Sequence, residues 1–450
     1  MLFNSIEFIF LFLPFFLVIF YIAPIKLRLA VIFLFSLVFY SAEGKIAVAV
    51  FLVSLFWSYI TARLFKGSKK KSHIWVAISV PLASLFVAKY FGFTLENVGV
   101  EVSTSPFKNF LVIFALPAGI SFYTFQIVAY VIDVIEGKTD IDCNILKYGA
   151  FISFFPQLIA GPIIRHDQIS DQFDRLINVK NITPNIQIGV RYFIVGLFYK
   201  TVFSDTLQPI REQFEIGVQS HWLDGLWSVF AYSAIIYFDF WGYSLMAIGI
   251  AKFVGLDIPV NFLEPYKSLS PKEFWKRWHV TLSMWLRDYV YFRLGGNQSY
   301  VRNILILFAA VGLWHGAGWN FIVWGLYHGI FVVAYHQLRR FWDKFPIALQ
   351  IAATFAIISA GWPLFYLDLT QWLELLGVIA SGQVGDGILW GALPWGWLGI
   401  IMSWIFLFKE TRWLHAENCG AFSNPVLLGV MMALSIILFS FSRSFIYFRF

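Results

Sequence analysis

The chain has 450 residues, of which 59% are apolar, 20% aromatic and only 13% charged. A soluble domain is about half apolar and a quarter charged, so this chain carries too little charge to cover a water-facing surface; disorder, coiled coil and collagen are excluded by the same composition. The formal net charge of +7 fits Lys and Arg held in cytoplasmic loops, with no nucleic-acid partner expected.

Mean hydropathy is +0.72 and long apolar runs recur from end to end. The spans leave no polar alternation for a β-barrel lumen, which predicts an all-α polytopic membrane protein, read as one membrane-embedded domain over 1–450 with lipid around it. The first apolar run lacks a basic n-region and a small-residue cleavage site, so it is expected to be retained. Predicted spans are 8–24, 28–42, 46–64, 74–92, 108–134, 187–204, 225–252, 303–318, 319–337, 347–366, 389–408 and 425–443, about ten to twelve in all. Shorter runs at 147–163 and 370–381 are expected to be re-entrant or interfacial.

Loop charges alternate through the first half. Lys26 and Arg28 follow the first span, Glu43 the second, Arg63, Lys66, Lys69, Lys70 and Lys71 the third, and Glu96 and Glu101 the fourth. Basic loops face the cytoplasm, which predicts an extracytoplasmic N-terminus. Residues 253–302 are too polar to span and too aromatic for a solvated loop. Between Lys267 and Arg302 they hold seven basic and two acidic residues, a mixture that predicts short amphipathic helices at the cytoplasmic face or dipping into the protein. Plain membrane anchoring is the other use of such a face. No internal repeat of a two-half transporter is visible, and no paired intramembrane carboxylates of a proton relay are identified. Cys143 and Cys419 form no CxxC pair and no metal spacing, so they read as structural thiols and no metal is expected.

Of the eight histidines, His73 and His166 sit in or beside charged loops, where the ring is expected to be solvated. His221, His336 and His415 lie near predicted helix ends. His279, His315 and His328 remain. His315 lies in an apolar stretch, and an ionisable group at membrane depth faces a cavity or a protein interior. The run 303–335 would be about 50 Å long as one helix, too long for a simple span. Gly312, Gly316 and Gly318 offer places for a break, which would leave His315 at a cavity; a neutral, hydrogen-bonded histidine inside a bundle is the alternative. Trp275 and His279 share a face if their segment is helical, with Lys276 and Arg277 beside it. That face suits a phosphate-bearing donor or, alternatively, an interfacial anchor. His328 would stand about 140° from His315 on an unbroken helix, and a break near Gly318 frees it as a supporting candidate.

Eight segments, in order and spacing, carry a resemblance: PAGISFYTFQ at 117–126, FPQLIAGPI at 155–163, YFDFWGYS at 237–244, PVNF at 259–262, FWKRWH at 274–279, WLRDY at 285–289, LGGN at 294–297 and LWHG at 313–316. Together they resemble the membrane-bound O-acyltransferase family in its bacterial branch, which O-acetylates alginate or peptidoglycan or moves D-alanine onto teichoic acids. The LGGN segment and the 36-residue spacing from His279 to His315 are more like the acetylating members.

The resemblance implies helices around a funnel with a thin floor where donor and acceptor meet, the motif core at about 117–336, and 253–302 as part of the cytoplasmic funnel. It implies an enzyme of the bacterial cytoplasmic (inner) membrane that uses acetyl-CoA as donor substrate and holds no bound cofactor. His315 takes the catalytic position, as general base, and His279 the second functional one. Asp288 and Asn297 are candidates to position a histidine or stabilise an oxyanion. Trp275 and Trp314 would wall the tunnel, and Lys276 and Arg277 would meet donor phosphates. With no extracytoplasmic hydrolase-like domain in view, a separate partner is expected to complete transfer to polysaccharide. The rivals are D-alanyl transfer from an acidic carrier protein docked on the basic face, lipidation of a protein acceptor, and a non-enzymatic transporter.

Overall fold

The computed structural model describes residues 1–100, 107, 110, 114, 116–142, 144–159, 161–178, 185–215, 221–382, 384, 392–408, 424–441, 445 and 446. Glu101, Cys143, His415 and Cys419 lie outside these, as do parts of the spans expected at 108–134, 389–408 and 425–443. The described residues fold into helices and turns, with no strand among them. Among the described residues seven helices are long and apolar enough to cross a membrane: Ile25–Glu43, Lys45–Leu64, Lys71–Asn97, Ile186–Glu212, Trp222–Phe253, Trp319–Trp342 and Ile347–Phe365. Four shorter apolar helices, Phe8–Ile22, Leu369–Ser381, Pro394–Leu407 and Pro425–Ile437, also fall on predicted runs. The chain is an all-α polytopic membrane protein.

Two compact units divide the chain. The first holds Met1–Phe193 and Ser244–Pro259. Its first two helices pack by aromatic rings: Phe8, Phe12 and Phe16 of the first and Phe39 of the second meet Phe155 at centroid separations of 5.1–6.2 Å, edge-on or tilted, as ring quadrupoles favour. His166 differs from the solvated loop expected of it. It opens the helix His166–Asn178, is buried, and meets Asp142 at 2.7 Å, while Lys147 meets both Asp142 (3.3 Å) and Asp174 (2.8 Å). Burying such groups is tolerated because they pair.

The second unit holds Ile194–Tyr243 and Val260–Phe450. Its central device is a helical hairpin. Tyr300–His315 ends at His315, Gly316–Gly318 turns, and Trp319–Trp342 returns. The turn falls within the glycine run that the sequence offers for a break. Tight contact between the two arms depends on small residues: a Cβ at Gly312 would lie 2.1 Å from the Phe321 carbonyl oxygen, and one at Gly325 would lie 2.1 Å from that of Phe308. A buried ion cluster lies elsewhere in this unit. Lys200 stands 2.5 Å from a carboxylate oxygen of each of Asp205 and Asp239, and all three side chains are fully buried. Two carboxylates thus converge in a span region where the sequence reading identified no pair. They lie five and thirty-nine residues from Lys200, so only the fold brings all three together.

Candidate active site

The helix Pro271–Arg277 starts where its sequence says it should. Ser270 caps it by accepting the Glu273 N–H at 3.2 Å, Pro271 occupies the first turn, and Glu273 accepts the Leu269 N–H at 2.7 Å. It stops at Arg277, and Trp278 is extended. His279 then adopts a left-handed backbone (φ +45°, ψ +56°) before the helix Val280–Leu286. A bulky residue in that region costs of order 1–3 kcal/mol and persists only where its surroundings over-determine it. Here Val280 N–H donates to the Asn261 carbonyl (2.9 Å), Ser283 N–H donates to that of His279 (3.0 Å), and the Thr281 hydroxyl donates to Asn261 Oδ1 (2.6 Å). Trp275 and His279 therefore do not share a continuous helical face, yet the turn brings both rings to one cavity.

That cavity has a volume of about 290 Å³. Leu282, Leu286, Ile304, Leu307, Phe308, Val311 and Val332 make apolar walls, with Trp275 and Trp278. His279 and His315 line it and are buried, whereas the lining residues Lys276, Arg287 and Asn297 are exposed. The cavity thus has a basic, polar mouth, and the two imidazoles are its buried polar lining. His315 is the last residue of its helix, held between the rings of Trp314 (4.8 Å), Trp324 (4.9 Å) and Phe365 (5.2 Å). The Trp314 ring also stands 6.2 Å from His279. At the mouth, Lys272 lies over the Tyr300 ring at 5.5 Å. Partial burial lowers its pKa, and the positive charges of Lys276 and Arg339 push the same way. An anion arriving there would relieve that repulsion.

Of the residues predicted from sequence, His279, His315, Trp275, Lys276 and Asn297 line the cavity. Asn297 accepts the Tyr291 hydroxyl at 2.7 Å, and its turn is set by Gly295 and Gly296, both at positive φ. Arg277 instead pairs with Glu273 (2.6 Å), and Asp288 with Arg287 (2.7 Å). Trp314 touches both histidines without lining the cavity. His328 is fully buried behind the wall, 5.0 Å from Trp275 and 4.9 Å from Trp324. Neither of its ring nitrogens has a hydrogen-bond partner among the described residues. Sequence reasoning did not single out Lys272, Arg287, Tyr300 or the apolar wall. The two cations stood in its basic run; the wall residues carry no signal beyond being apolar.

Burial lowers the His279 pKa from 6.5 to about 3, and the residue lies outside the seven long spans. Its ring is neutral at pH 7. Since the unfolded chain takes up this proton at higher pH than the folded one, the folded state loses stability as pH falls from 6.5 toward 3. The melting temperature in detergent should drop between pH 7 and pH 4, and the drop should shrink in His279→Gln. An equal drop in both proteins would refute the assignment.

A family model described as "MBOAT, membrane-bound O-acyltransferase family" matches residues 139–362. A probable alginate O-acetylase, AlgI, of Azotobacter vinelandii is 35% identical over 383 residues, covering 81% of this chain and 75% of the relative. A peptidoglycan O-acetyltransferase of Helicobacter pylori is 33% identical over 430 residues, covering 86% and 80%. A teichoic acid D-alanyltransferase of Lacticaseibacillus rhamnosus is 28% identical over 325 residues, covering 67% and 76%.

Proposed function

The chain belongs to the membrane-bound O-acyltransferase family, and from that premise we propose that it carries an acetyl group from cytoplasmic acetyl-CoA to an exported or cell-envelope polysaccharide. What supports this most is one cavity with cations at its mouth, apolar walls, and His279 and His315 as its buried polar lining. Diphosphate and ribose phosphate suit the mouth, an extended thioester arm suits the walls, and the acetyl carbonyl would then reach the histidines. Two relatives are named for O-acetylation of alginate and of peptidoglycan, which supports a polysaccharide acceptor.

In the proposed step a neutral His315 takes the proton of the acceptor hydroxyl as its oxygen attacks the acetyl carbonyl. The C–O bond forms, the C–S bond breaks, and the proton passes to the departing thiolate. His279, itself neutral, polarises the carbonyl. Burial of both rings away from solvent strengthens each polar contact. The enzyme sits in the bacterial inner membrane with its N-terminus outside and its cavity mouth on the cytoplasmic face. A separate extracytoplasmic protein completes transfer to the polymer.

Lys272→Gln and Lys276→Gln should each raise the KM for acetyl-CoA by roughly 2–5-fold, with kcat little changed and the effect fading at high salt. Titration of the purified protein with coenzyme A, and separately with an acidic acyl-carrier protein, tests the donor. Binding of the carrier with none of coenzyme A would move the assignment to D-alanyl-type transfer.

A further inference from the structure

The ion cluster at Lys200 has no part in the chemistry proposed above, yet it connects to His279 by contact. One oxygen of Asp239 pairs with Lys200 at 2.5 Å; the other accepts the backbone N–H of Ile446 at 2.7 Å. Phe445, next in the chain, is fully buried and stands 4.8 Å from the Tyr243 ring and 5.7 Å from the Phe240 ring. Phe240 follows Asp239 and meets the His279 imidazole edge-on at 4.8 Å. Lys200 belongs to a π-helical turn, Tyr199–Ser204, which widens the helix where the cluster sits. Such turns are rare and often functional. A charged cluster in a span region is costly unless closely paired, and this paired cluster gives the chain at Ile446 a polar anchor through Asp239.

We infer that Phe445 and Ile446, fastened by the Asp239–Lys200 pair, are positioning residues that hold the His279 ring through Phe240. The inference rests on the reading of His279 as a working part of the acyl-transfer site. His279 needs such a backing because its left-handed backbone is held in place by its neighbours. Removing the Phe445 ring leaves a void behind Phe240, into which Phe240 can rotate, and the imidazole then loses its fixed edge.

The test compares wild type with Phe445→Ala, Phe445→Leu and Asp239→Asn, each first shown to be monodisperse in detergent. Two readouts are needed. The first is the rate of histidine carbethoxylation, mapped by peptide mass spectrometry. His279 should be protected in wild type and modified several times faster in Phe445→Ala, with Phe445→Leu between them and His328 unchanged. The second is acetyl transfer: kcat should fall roughly 10-fold or more in Phe445→Ala while the donor KM holds, and the same change made in His279→Ala should have no further effect. Unchanged protection of His279 in a folded Phe445→Ala or Phe445→Leu protein would overturn the inference, as would an effect that simply adds to that of His279→Ala. If wild type fails to use acetyl-CoA, the proposed reaction falls, and the carbethoxylation rates still decide whether this segment holds His279.

Discussion

Replacing His315 by alanine should lower acetyl transfer by roughly 10²–10⁴-fold, the usual worth of a positioned general base. The change should appear in kcat. His315 is buried and lines the same cavity as the exposed cations Lys276 and Arg287, and in the proposed reaction those cations and the apolar walls, not His315, hold most of the donor. Donor KM should therefore stay within a few-fold of wild type. His315→Gln, which keeps polarity and some bulk but cannot act as a base near neutral pH, should be as slow as the alanine variant. A His315→Ala protein with wild-type kcat would remove His315 from the chemistry. A raised KM at unchanged kcat would make it a binding residue only.

The second large effect concerns the hairpin that delivers His315. Gly312→Ala and Gly325→Ala each place a methyl group 2.1 Å from a backbone carbonyl oxygen of the facing arm. Backbone on both sides cannot move aside cheaply, so each change should cost about 1–3 kcal/mol by overpacking. Because both act on one crossing, the double variant should lose less than the sum. Thermal melting in detergent measures the loss, and activity should fall with it, since Gly312 is three residues from His315. Gly377→Ala is the control: among the described residues its added Cβ meets nothing within 4 Å beyond its own stretch of helix, and alanine is the better helix former. If the Gly312 and Gly377 variants melt alike, the close crossing is not what holds the hairpin.

Much of this arrangement was legible in the sequence, for reasons that differ by residue. Apolar run length is a direct readout of spans, because lipid forces backbone groups to pair within a helix. The break after His315 was legible because three glycines interrupt a run too long to cross once. His279 was found as part of a Trp-Lys-Arg-Trp-His cluster, but its geometry was not. Helical spacing put it on a face with Trp275, whereas the chain leaves the helix at Trp278 and turns left-handed at His279. Arg277 could have been assigned to Glu273 from their four-residue spacing alone. The cavity walls were not legible, since Leu282, Phe308, Val311 and Val332 meet only once three separate helices pack. Nor was the Lys200 cluster, whose second carboxylate lies on a distant helix, nor the burial of His166, which follows from its pairing with Asp142.

In the proposed reaction a coenzyme A thioester is consumed at the buried histidines of this cavity. Release of coenzyme A from labelled acetyl-CoA by the purified protein in lipid, with and without an oligosaccharide bearing free hydroxyls and the extracytoplasmic partner, decides whether this happens. Wild type should show acceptor-dependent release and acetyl ester formation, with both lost in His315→Ala while coenzyme A binding persists. Release that is unchanged in His315→Ala, or no use of acetyl-CoA by wild type with acceptor and partner present, would contradict this reaction.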